Sequence, residues 1–401
     1  MGSAFFQNLG SNGRTCATCH QQSDAWGVSA EHVRARFMAT LGSDPIFRPV
    51  DGAVCPTADV STLRARARAY SMLLNKGLIR VSMPVPQNAE FSLIAVDDPY
   101  HCATADNLSL FRRPLPAANL RFLSAVMWDG RESAKGQSLE ADLASQAADA
   151  TMGHAQGQRP TDAQIHDIVS FEMDLHTAQI RDHDAGKLTA DGATGGPEAL
   201  SKQEFHPGIN DTFGGDPNGS AFNPEAFTLY SAWKHAYSGD DDVDQARRSI
   251  ARGEELFNTF PIAITGVGGL NDALNQPVVM GTCTSCHDSP NAGDHSLPVP
   301  LNIGIVDEAH RTSDMPLYTF QCTNGAVVKL TDPGRALITG KCSDLGKFKG
   351  PVLRGLAARA PYFHNGMAAD LMDAVNFYDQ RFNLHLNRQQ KKDLVAFLKT
   401  L

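Results

Sequence analysis

One five-residue pattern occurs twice in the sequence and limits what the chain can fold into. It reads Cys-x-x-Cys-His, with Cys16, Cys19 and His20 in the first copy and Cys283, Cys286 and His287 in the second. Two thiols at this spacing can bond to the two vinyl groups of one porphyrin, and the adjacent histidine can ligate the iron. The pattern therefore predicts two covalently attached haem c groups, with His20 and His287 as proximal iron ligands.

Other interpretations of a Cys-x-x-Cys pair fit this sequence less well. A structural zinc site would need four ligands close together, but the two pairs lie at opposite ends of the chain. A thioredoxin-like dithiol would need a βαβ context, and no such pattern surrounds either pair. Coincidence remains the main alternative to haem attachment.

The four remaining cysteines point to an oxidising compartment. Haem c is attached outside the bacterial cytoplasm, where disulfides persist, so we predict a periplasmic protein. Proximity in sequence favours Cys55–Cys102 and Cys322–Cys342, although four cysteines allow three connectivities. The sequence shows no export signal before the first motif, so we expect its numbering to start near a mature N-terminus.

Composition narrows the class of partner. The chain has 401 residues, 42% of them hydrophobic, and a net charge of −9. An acidic chain lacks the basic face that nucleic acid requires, but it can steer a basic redox partner. No apolar run is long enough for a membrane span. We therefore expect neither a nucleic-acid partner nor a membrane-spanning segment.

The order of patterns predicts a mainly α fold with two cytochrome c-like haem domains, long irregular loops and a few short strands. Apolar residues at helical spacing predict helices that start at about Ser29, run from Thr161 to Arg181, pass through Ala246 to Leu256, and start at Asn387. The run from Phe91 to Val96 predicts a strand of a small hairpin. We assign 1–184 and 243–401 to the two domains and 185–242, rich in Gly and Pro, to a linker or surface excursion.

Two further motifs resemble those of the bacterial di-haem cytochrome c peroxidases and MauG-type enzymes. Residues 127–131 read Met-Trp-Asp-Gly-Arg, like the segment between the haems of that superfamily. Residues 351–355 and 360–366 read Pro-Val-Leu-Arg-Gly and Ala-Pro-Tyr-Phe-His-Asn-Gly, like its C-terminal motif. The resemblance implies that the N-terminal haem reacts with peroxide and that the C-terminal haem stores or relays an electron.

The resemblance also suggests roles for two aromatic residues. Peroxidases of this superfamily use a Met as the sixth ligand of the C-terminal haem, whereas MauG-type enzymes use a Tyr, and that position falls on Tyr378. A phenolate favours ferric and higher-valent iron. Trp128 is implied to carry a hole between the two irons. Each residue could instead be a packed core aromatic.

The region that faces the N-terminal haem departs from the superfamily pattern. A Glu is expected shortly after a Gln-Ala step, but Gln146-Ala147 is followed by residues 150–156 without a Glu. His154 is the best candidate for the acid–base group, because imidazole titrates near neutral pH. Gln156 is expected only to orient. A surface position for His154 is the alternative.

The resemblance also implies binding roles for five more positions. Arg131 and His364 are expected to hold haem propionates. The superfamily carries a calcium ion between the haems, held by an Asn side chain and two backbone carbonyls. Those carbonyls map to Arg359 and Pro361, but the Asn position falls on Arg113, so calcium is left open.

Three functions remain open at the level of sequence. The first is a MauG-like enzyme that activates hydrogen peroxide or oxygen and oxidises an aromatic residue of a partner protein. The second is a peroxidase that reduces hydrogen peroxide with electrons from a small cytochrome or cupredoxin. The third is a non-enzymatic di-haem electron carrier. Tyr378 favours the first over the second, and an open N-terminal haem would exclude the third.

Overall fold

The computed structural model describes residues 2–234 and 241–401. Ten α-helices lie in these residues. They are α1 (Ala30–Thr40), α2 (Leu63–Ala69), α3 (Ser71–Lys76), α4 (Leu139–Gly153), α5 (Asp162–Asp174), α6 (Pro197–Ser201), α7 (Asp242–Thr259), α8 (Ala336–Thr339), α9 (Leu371–Arg381) and α10 (Arg388–Lys399). The prediction of a mainly α chain is confirmed, and no helix of the described residues is long and apolar enough to cross a membrane.

The strands are short and antiparallel. They are β1 (Ile79–Met83), β2 (Phe91–Asp97), β3 (Leu108–Arg112), β4 (Arg181–Asp182), β5 (Gly186–Lys187), β6 (Ile262–Thr265), β7 (Val278–Gly281), β8 (Leu317–Cys322) and β9 (Val327–Leu330). β1 pairs with β3, β4 with β5, and β6 with β7, while β2, β8 and β9 form one three-stranded sheet.

The three-stranded sheet joins the two halves of the chain. β2 does not form the expected local hairpin, because its partner is β8, with Phe91 opposite Cys322. Phe91 and Phe320 pack edge to face, 5.3 Å between ring centroids, in a core that also holds Tyr318. The apolar face of β2 is therefore buried by a strand that lies more than two hundred residues away in sequence.

Local capping patterns are confirmed where they were strongest. Thr161 and Gln164 form the expected capping box at the start of α5, and Asn387 caps α10. The predicted end of α5 at Arg181 is wrong, because the helix ends at Asp174. There Asn119 pulls the chain into an extended path by hydrogen bonding to the backbone of Leu175 and Thr177.

α7 and α10 cross closely in the C-terminal core. At Gly253 of α7, an added Cβ would overlap the backbone carbonyl of Asp393 on α10, so the crossing requires a glycine. Asp393 also accepts hydrogen bonds from Ser249 and Arg252 of α7. This contact places the C-terminal helix against the helix that leads into the second Cys-x-x-Cys-His motif.

Much of the segment 185–242 packs into this same core. Phe227, Tyr230 and Trp233 are fully buried, and Phe227 packs edge to face on Phe257 of α7 and Phe397 of α10. Residues 235–240 of the predicted segment lie outside the described residues. The division into two domains with an intervening segment remains a prediction.

Both disulfide pairings favoured by the sequence are present. Cys55 and Cys102 are bonded with their Cα atoms 5.8 Å apart, and Cys322 and Cys342 with theirs 5.9 Å apart. The second bond ties the end of β8 to the turn after α8. The four cysteines of the two Cys-x-x-Cys-His motifs form no disulfide within the described part of the chain.

Candidate functional site

The two Cys-x-x-Cys-His motifs adopt the same local structure. In the first copy a short 3₁₀ helix runs from Cys16 to Thr18, and the Thr18 hydroxyl accepts from the Thr15 backbone N–H at 2.9 Å. The backbone N–H of His20 donates to the Cys16 carbonyl at 3.0 Å. This tight turn places both thiols and the imidazole on one side of the loop.

The second copy repeats these contacts. Its 3₁₀ helix runs from Cys283 to Ser285, and the Ser285 hydroxyl accepts from the Thr282 backbone N–H at 2.9 Å. The backbone N–H of His287 donates to the Cys283 carbonyl at 3.1 Å. Equivalent sequence patterns at opposite ends of the chain thus fold into equivalent loops.

Both motif histidines are oriented through Nδ1. His20 Nδ1 lies 3.0 Å from the Trp26 carbonyl, and His287 Nδ1 lies 2.6 Å from the Gly293 carbonyl. Each acceptor is six residues beyond its histidine. Burial lowers the pKa of both imidazoles, which keeps them neutral. A neutral imidazole whose Nδ1–H is held by a carbonyl presents Nε2 as a metal ligand.

Each loop forms part of the wall of its own cavity. We call them the N-terminal cavity, which is lined by Cys16, Cys19 and His20, and the C-terminal cavity, which is lined by Cys283, Cys286 and His287. The two cavities share a wall, formed by a proline-rich turn and a second segment from the C-terminal motif. The shared residues are Pro114, Leu115, Pro116, Lys349, Pro351 and Val352.

His154 lines the N-terminal cavity, as the sequence predicts for an acid–base group. It is the C-terminal cap of α4, and its side chain is 38% exposed. Its Nδ1 lies 2.6 Å from a carboxylate oxygen of Asp51. The aspartate therefore fixes the Nδ1–H tautomer and leaves Nε2 free for proton transfer.

Asp51 is a site residue that the sequence analysis missed. It is buried and also accepts a 2.7 Å hydrogen bond from the guanidinium of buried Arg14. Burial opposes its ionisation, but the hydrogen bond and charge of His154 and the charge of Arg14 hold the pKa of Asp51 below its ordinary value. Arg14, Asp51 and His154 thus form a charged network at one side of the cavity.

A buried carboxyl group also lines the N-terminal cavity. Glu172 of α5 is 6% exposed, and its Oε2 has no hydrogen-bond partner among the described residues. Burial raises the pKa of Glu172 to about 8, and burial, with a smaller contribution from Glu172, raises the pKa of the nearby Cys16 thiol. The cavity therefore contains a carboxyl group despite the missing Glu after Gln146-Ala147.

Gln156 and Arg131 lie away from both cavity linings. The Gln156 side chain is exposed and accepts from Asn12 at 3.3 Å. The Arg131 guanidinium faces Asp129 at 3.2 Å. The orienting role of Gln156 and the propionate-binding role of Arg131 remain predictions without support from these positions.

Tyr378 lines the C-terminal cavity together with His287, and its role as a second iron ligand remains a prediction. It lies on α9, between the aromatic rings of Phe363 and Phe382. Burial raises the pKa of the Tyr378 hydroxyl, and the charges of the Cys286 and Cys283 thiols add to this effect. Its ionisation in this cavity would require a nearby cation.

Trp128 and His364 line the C-terminal cavity beside the shared wall, where the Trp128 carbonyl accepts a hydrogen bond from the backbone N–H of Lys349 at 2.9 Å. Their ring centroids are 6.0 Å apart, and His364 stacks on Phe348 at 4.0 Å. Burial lowers the pKa of His364 to about 4, and its buried Nε2 has no partner among the described residues. The preceding Met127 lines the N-terminal cavity, so consecutive residues face the two cavities.

Two buried cations complete the cavity walls. Arg354 is 1% exposed, and none of its three guanidinium nitrogens has a partner in the described part of the protein. Lys349 borders both cavities, and burial lowers its pKa to about 8 although the charge of Asp294 opposes this. Unpartnered buried cations require an anion. Arg354 belongs to the Pro-Val-Leu-Arg-Gly motif, which could have identified it from sequence.

A separate acidic cluster lies beside the second motif. His295 Nδ1 is 3.0 Å from Asp288, and Asp211 completes a buried trio whose ligand atoms lie within 4.8 Å of one another. Burial disfavours the charged imidazole, but the hydrogen bond and charge of Asp288 with the charge of Asp211 raise the pKa of His295. The two carboxylates therefore favour the protonated form of the His295 imidazole.

Several curated proteins are similar to parts of this chain. Cytochrome-c peroxidase IdrP2 of Denitromonas iodatirespirans is 36% identical over 134 residues, which cover 30% of this chain and 36% of that protein. IdrP2 of Pseudomonas sp. (strain SCT) is 33% identical over 204 residues, or 44% of this chain and 53% of that one. Methylamine utilization protein MauG of Paracoccus denitrificans (strain Pd 1222) is 24% identical over 276 residues, or 66% and 55%.

These matches support the resemblance that the motifs indicate without distinguishing its two branches. The chain spans between about a third and about half of the length of these relatives. No family model matches the chain. The chain is therefore related to the superfamily that contains the bacterial di-haem cytochrome c peroxidases and MauG.

Proposed function

We propose that each cavity holds one haem c, attached through Cys16 and Cys19 in one and Cys283 and Cys286 in the other. The fit rests on the free thiols, the available Nε2 atoms of His20 and His287, and the mainly apolar walls. Arg354 would bind the propionates of the N-terminal group, since its buried guanidinium has no partner among the described residues. When bound, such groups supply one-electron and peroxide chemistry.

The function supported best is peroxide activation in the N-terminal cavity, with oxidation of an aromatic residue on a partner protein. The observation that carries this proposal is the shared wall, which separates a cavity containing the His154–Asp51 pair from one containing Tyr378. The arrangement gives one cavity a proton carrier and the other an oxygen ligand for iron.

His154 would move the proton that peroxide cleavage requires. Its Nε2 takes a proton from one oxygen of hydrogen peroxide and delivers it to the other, which leaves as water. The oxygen atom that gave up its proton remains, and it leaves as a second water once two electrons and two protons have been supplied. Asp51 holds Nδ1–H throughout and stabilises the imidazolium that forms between the two proton transfers.

Tyr378 would offer its phenolic oxygen as a second protein ligand to the iron that His287 would hold. An anionic oxygen ligand stabilises ferric and higher oxidation states. The two electrons for peroxide would then come from an aromatic residue of a docked protein, by way of the C-terminal cavity. Trp128 lies at the shared wall and would carry electrons between the cavities.

The alternative is a cytochrome c peroxidase, as two of the relatives reported above are named. In that function a small cytochrome or cupredoxin supplies the electrons, and the oxidised protein does not persist. A pure electron carrier would instead use both irons as six-coordinate centres, with His154 as a ligand rather than an acid–base group. We place the protein in the periplasm in each case, since haem attachment and both disulfides require an oxidising compartment.

The deciding experiment adds one equivalent of hydrogen peroxide to the ferric protein and follows its optical spectrum, with and without a reduced small cytochrome. The MauG-like function predicts an oxidised state that persists without donor and oxidises an aromatic residue on a partner protein, detected by peptide mass spectrometry. Rapid, sustained oxidation of the small cytochrome would establish the peroxidase instead. A spectrum unchanged by peroxide would overturn both enzymatic functions.

A further inference from the structure

Arg113 occupies the junction of the two halves of the protein, directly after β3. Its backbone N–H donates to the His364 carbonyl at 2.7 Å, and its own carbonyl accepts from the Trp128 indole N–H at 2.8 Å. The side chain is 6% exposed. The backbone of Arg113 thus fixes both aromatic residues that lie at the shared wall.

The guanidinium of Arg113 collects backbone carbonyls from three separate segments. Its Nη2 donates to Val28 at 2.5 Å and to Arg359 at 2.7 Å, and its Nη1 donates to Lys76 at 3.0 Å. Two of these carbonyls belong to the N-terminal half and one to the C-terminal motif. The guanidinium of Arg113 is therefore a cationic group surrounded by backbone oxygen atoms.

Gly77 makes room for this guanidinium. It has a φ of +62°, and an added Cβ would lie 3.1 Å from Nη1 of Arg113. A side chain at this position would be strained and would press on the charged group. The close approach of the Lys76–Gly77 turn is therefore matched to an arginine at position 113.

These contacts do not fit the calcium site that the resemblance implies. Arg359, one of the two carbonyls expected to ligate calcium, instead accepts a hydrogen bond from Arg113, which stands at the expected Asn position. Calcium requires six to eight oxygen ligands. A second cation here would also face Arg113 and buried Arg359, whose mutual repulsion already contributes, after burial, to a lowered pKa of Arg113 of about 9.

We propose that the Arg113 guanidinium takes the place of the calcium ion. It donates hydrogen bonds to the converging carbonyls and so joins the two halves of the protein, while the Arg113 backbone carbonyl holds Trp128, so the protein needs no metal at this position. This inference is independent of the reaction proposed above, because it concerns how the junction is held together.

The first test measures calcium in the wild-type holoprotein. The protein is purified in the presence of calcium, desalted and analysed by elemental mass spectrometry, and its melting temperature is recorded with EGTA and with added calcium chloride. We expect substoichiometric calcium and the same melting temperature in both solutions. One bound calcium per chain, lost to EGTA together with a fall in melting temperature, would overturn the proposal.

The second test replaces Arg113 by Asn. Loss of the guanidinium should lower the melting temperature, and added calcium should restore part of that loss in a manner reversed by EGTA. Arg381→Asn is the matched control, because Arg381 also donates to three backbone carbonyls, those of Ile303, Thr265 and Gly266. That variant should be destabilised without a response to calcium.

An Arg113→Asn protein that folds with the wild-type melting temperature and ignores calcium would contradict the proposal. If the variant does not fold, the wild-type calcium content and EGTA response decide the matter. Neither measurement uses enzymatic activity, so failure of this inference and failure of the proposed function are distinguishable.

Discussion

The two cavities are built on the same attachment loop and differ in what faces it. On the loop side, His20 and His287 each bind a carbonyl six residues further along the chain. On the other walls, the N-terminal cavity has the titratable side chains of Asp51, His154 and Glu172, whereas the C-terminal cavity has Tyr378 among mainly apolar side chains.

This difference separates two chemical requirements. Cleaving an O–O bond requires a group that moves a proton, and titratable side chains at the cavity wall can supply it. Stabilising an oxidised iron requires an electron-rich ligand and few groups that can transfer protons. An apolar wall with one phenol meets both requirements. A duplicated loop can therefore support two roles if only the opposing residues change.

Replacing Tyr378 by Met should have the largest effect, since it makes the second cavity resemble that of a peroxidase. The reduction potential of the C-terminal haem should rise by on the order of a few hundred mV, within the range of roughly 0.8 V that axial ligands span. Spectroelectrochemical titration of the holoprotein measures this shift.

Tyr362→Phe is the matched control for that change. Tyr362 also lines the C-terminal cavity, but its hydroxyl donates to the Leu356 carbonyl at 2.8 Å. Its loss should leave the potential nearly unchanged. Equal shifts of the reduction potential in both variants, or no shift in Tyr378→Met, would show that Tyr378 does not ligate the iron.

His154→Ala tests the proton-moving side of the comparison. The reaction with hydrogen peroxide should slow by about 10² to 10⁴-fold, because His154 is the group in this network that is proposed to move the proton. Stopped-flow spectroscopy of the ferric protein measures the rate. Gln156→Ala is the control, since this neighbouring side chain is exposed, and it should react at the wild-type rate. An unchanged rate in His154→Ala rules out the proposed role.

Glu172→Gln tests the buried carboxyl group in the same cavity. The pKa of Glu172 in the folded protein, about 8, lies above its ordinary value of 4.5. The stability that the protonated carboxyl contributes is therefore fully present below pH 4.5 and is lost as the pH rises towards 8. Because Gln does not ionise, the Glu172→Gln variant keeps this stability. Its free energy of unfolding at pH 7 should exceed that of the wild type by about 3 kcal/mol. Denaturant unfolding of both holoproteins between pH 5 and 9 measures the difference. Parallel pH profiles would show that Glu172 is ionised in the folded protein.

The features that the sequence predicted well are those encoded over short distances. The capping boxes and the disulfide pairs each depend on a few residues whose spacing determines their contacts. The end of α5 was missed because Asn119, a distant residue, competes for the backbone there. Helical periodicity contains no information about such a competitor.

The site residues missed by the sequence analysis depend on the tertiary fold. Asp51 meets His154 across 103 residues, and no motif connects them. Glu172 follows a helical stripe and is expected at the surface from its type, yet α5 turns it towards the cavity. Arg113 was noticed only as a departure from a calcium ligand, because its three carbonyl partners converge only in the folded chain.

The smallest of the expected effects distinguishes the Asp51–His154 pair from a simple structural contact. Asp51→Asn keeps the shape of the side chain but removes the charge that orients and stabilises the imidazolium, so the peroxide reaction should slow by roughly 10 to 100-fold. Asp44→Asn is the matched control, because Asp44 pairs with Arg36 at 2.6 Å and lies outside the cavity lining. The two variants should lose comparable stability if each simply breaks an ion pair, whereas only Asp51→Asn should slow the reaction and change its pH profile. Equal rates in the two variants would show that Asp51 serves Arg14 alone and that His154 works without an orienting partner.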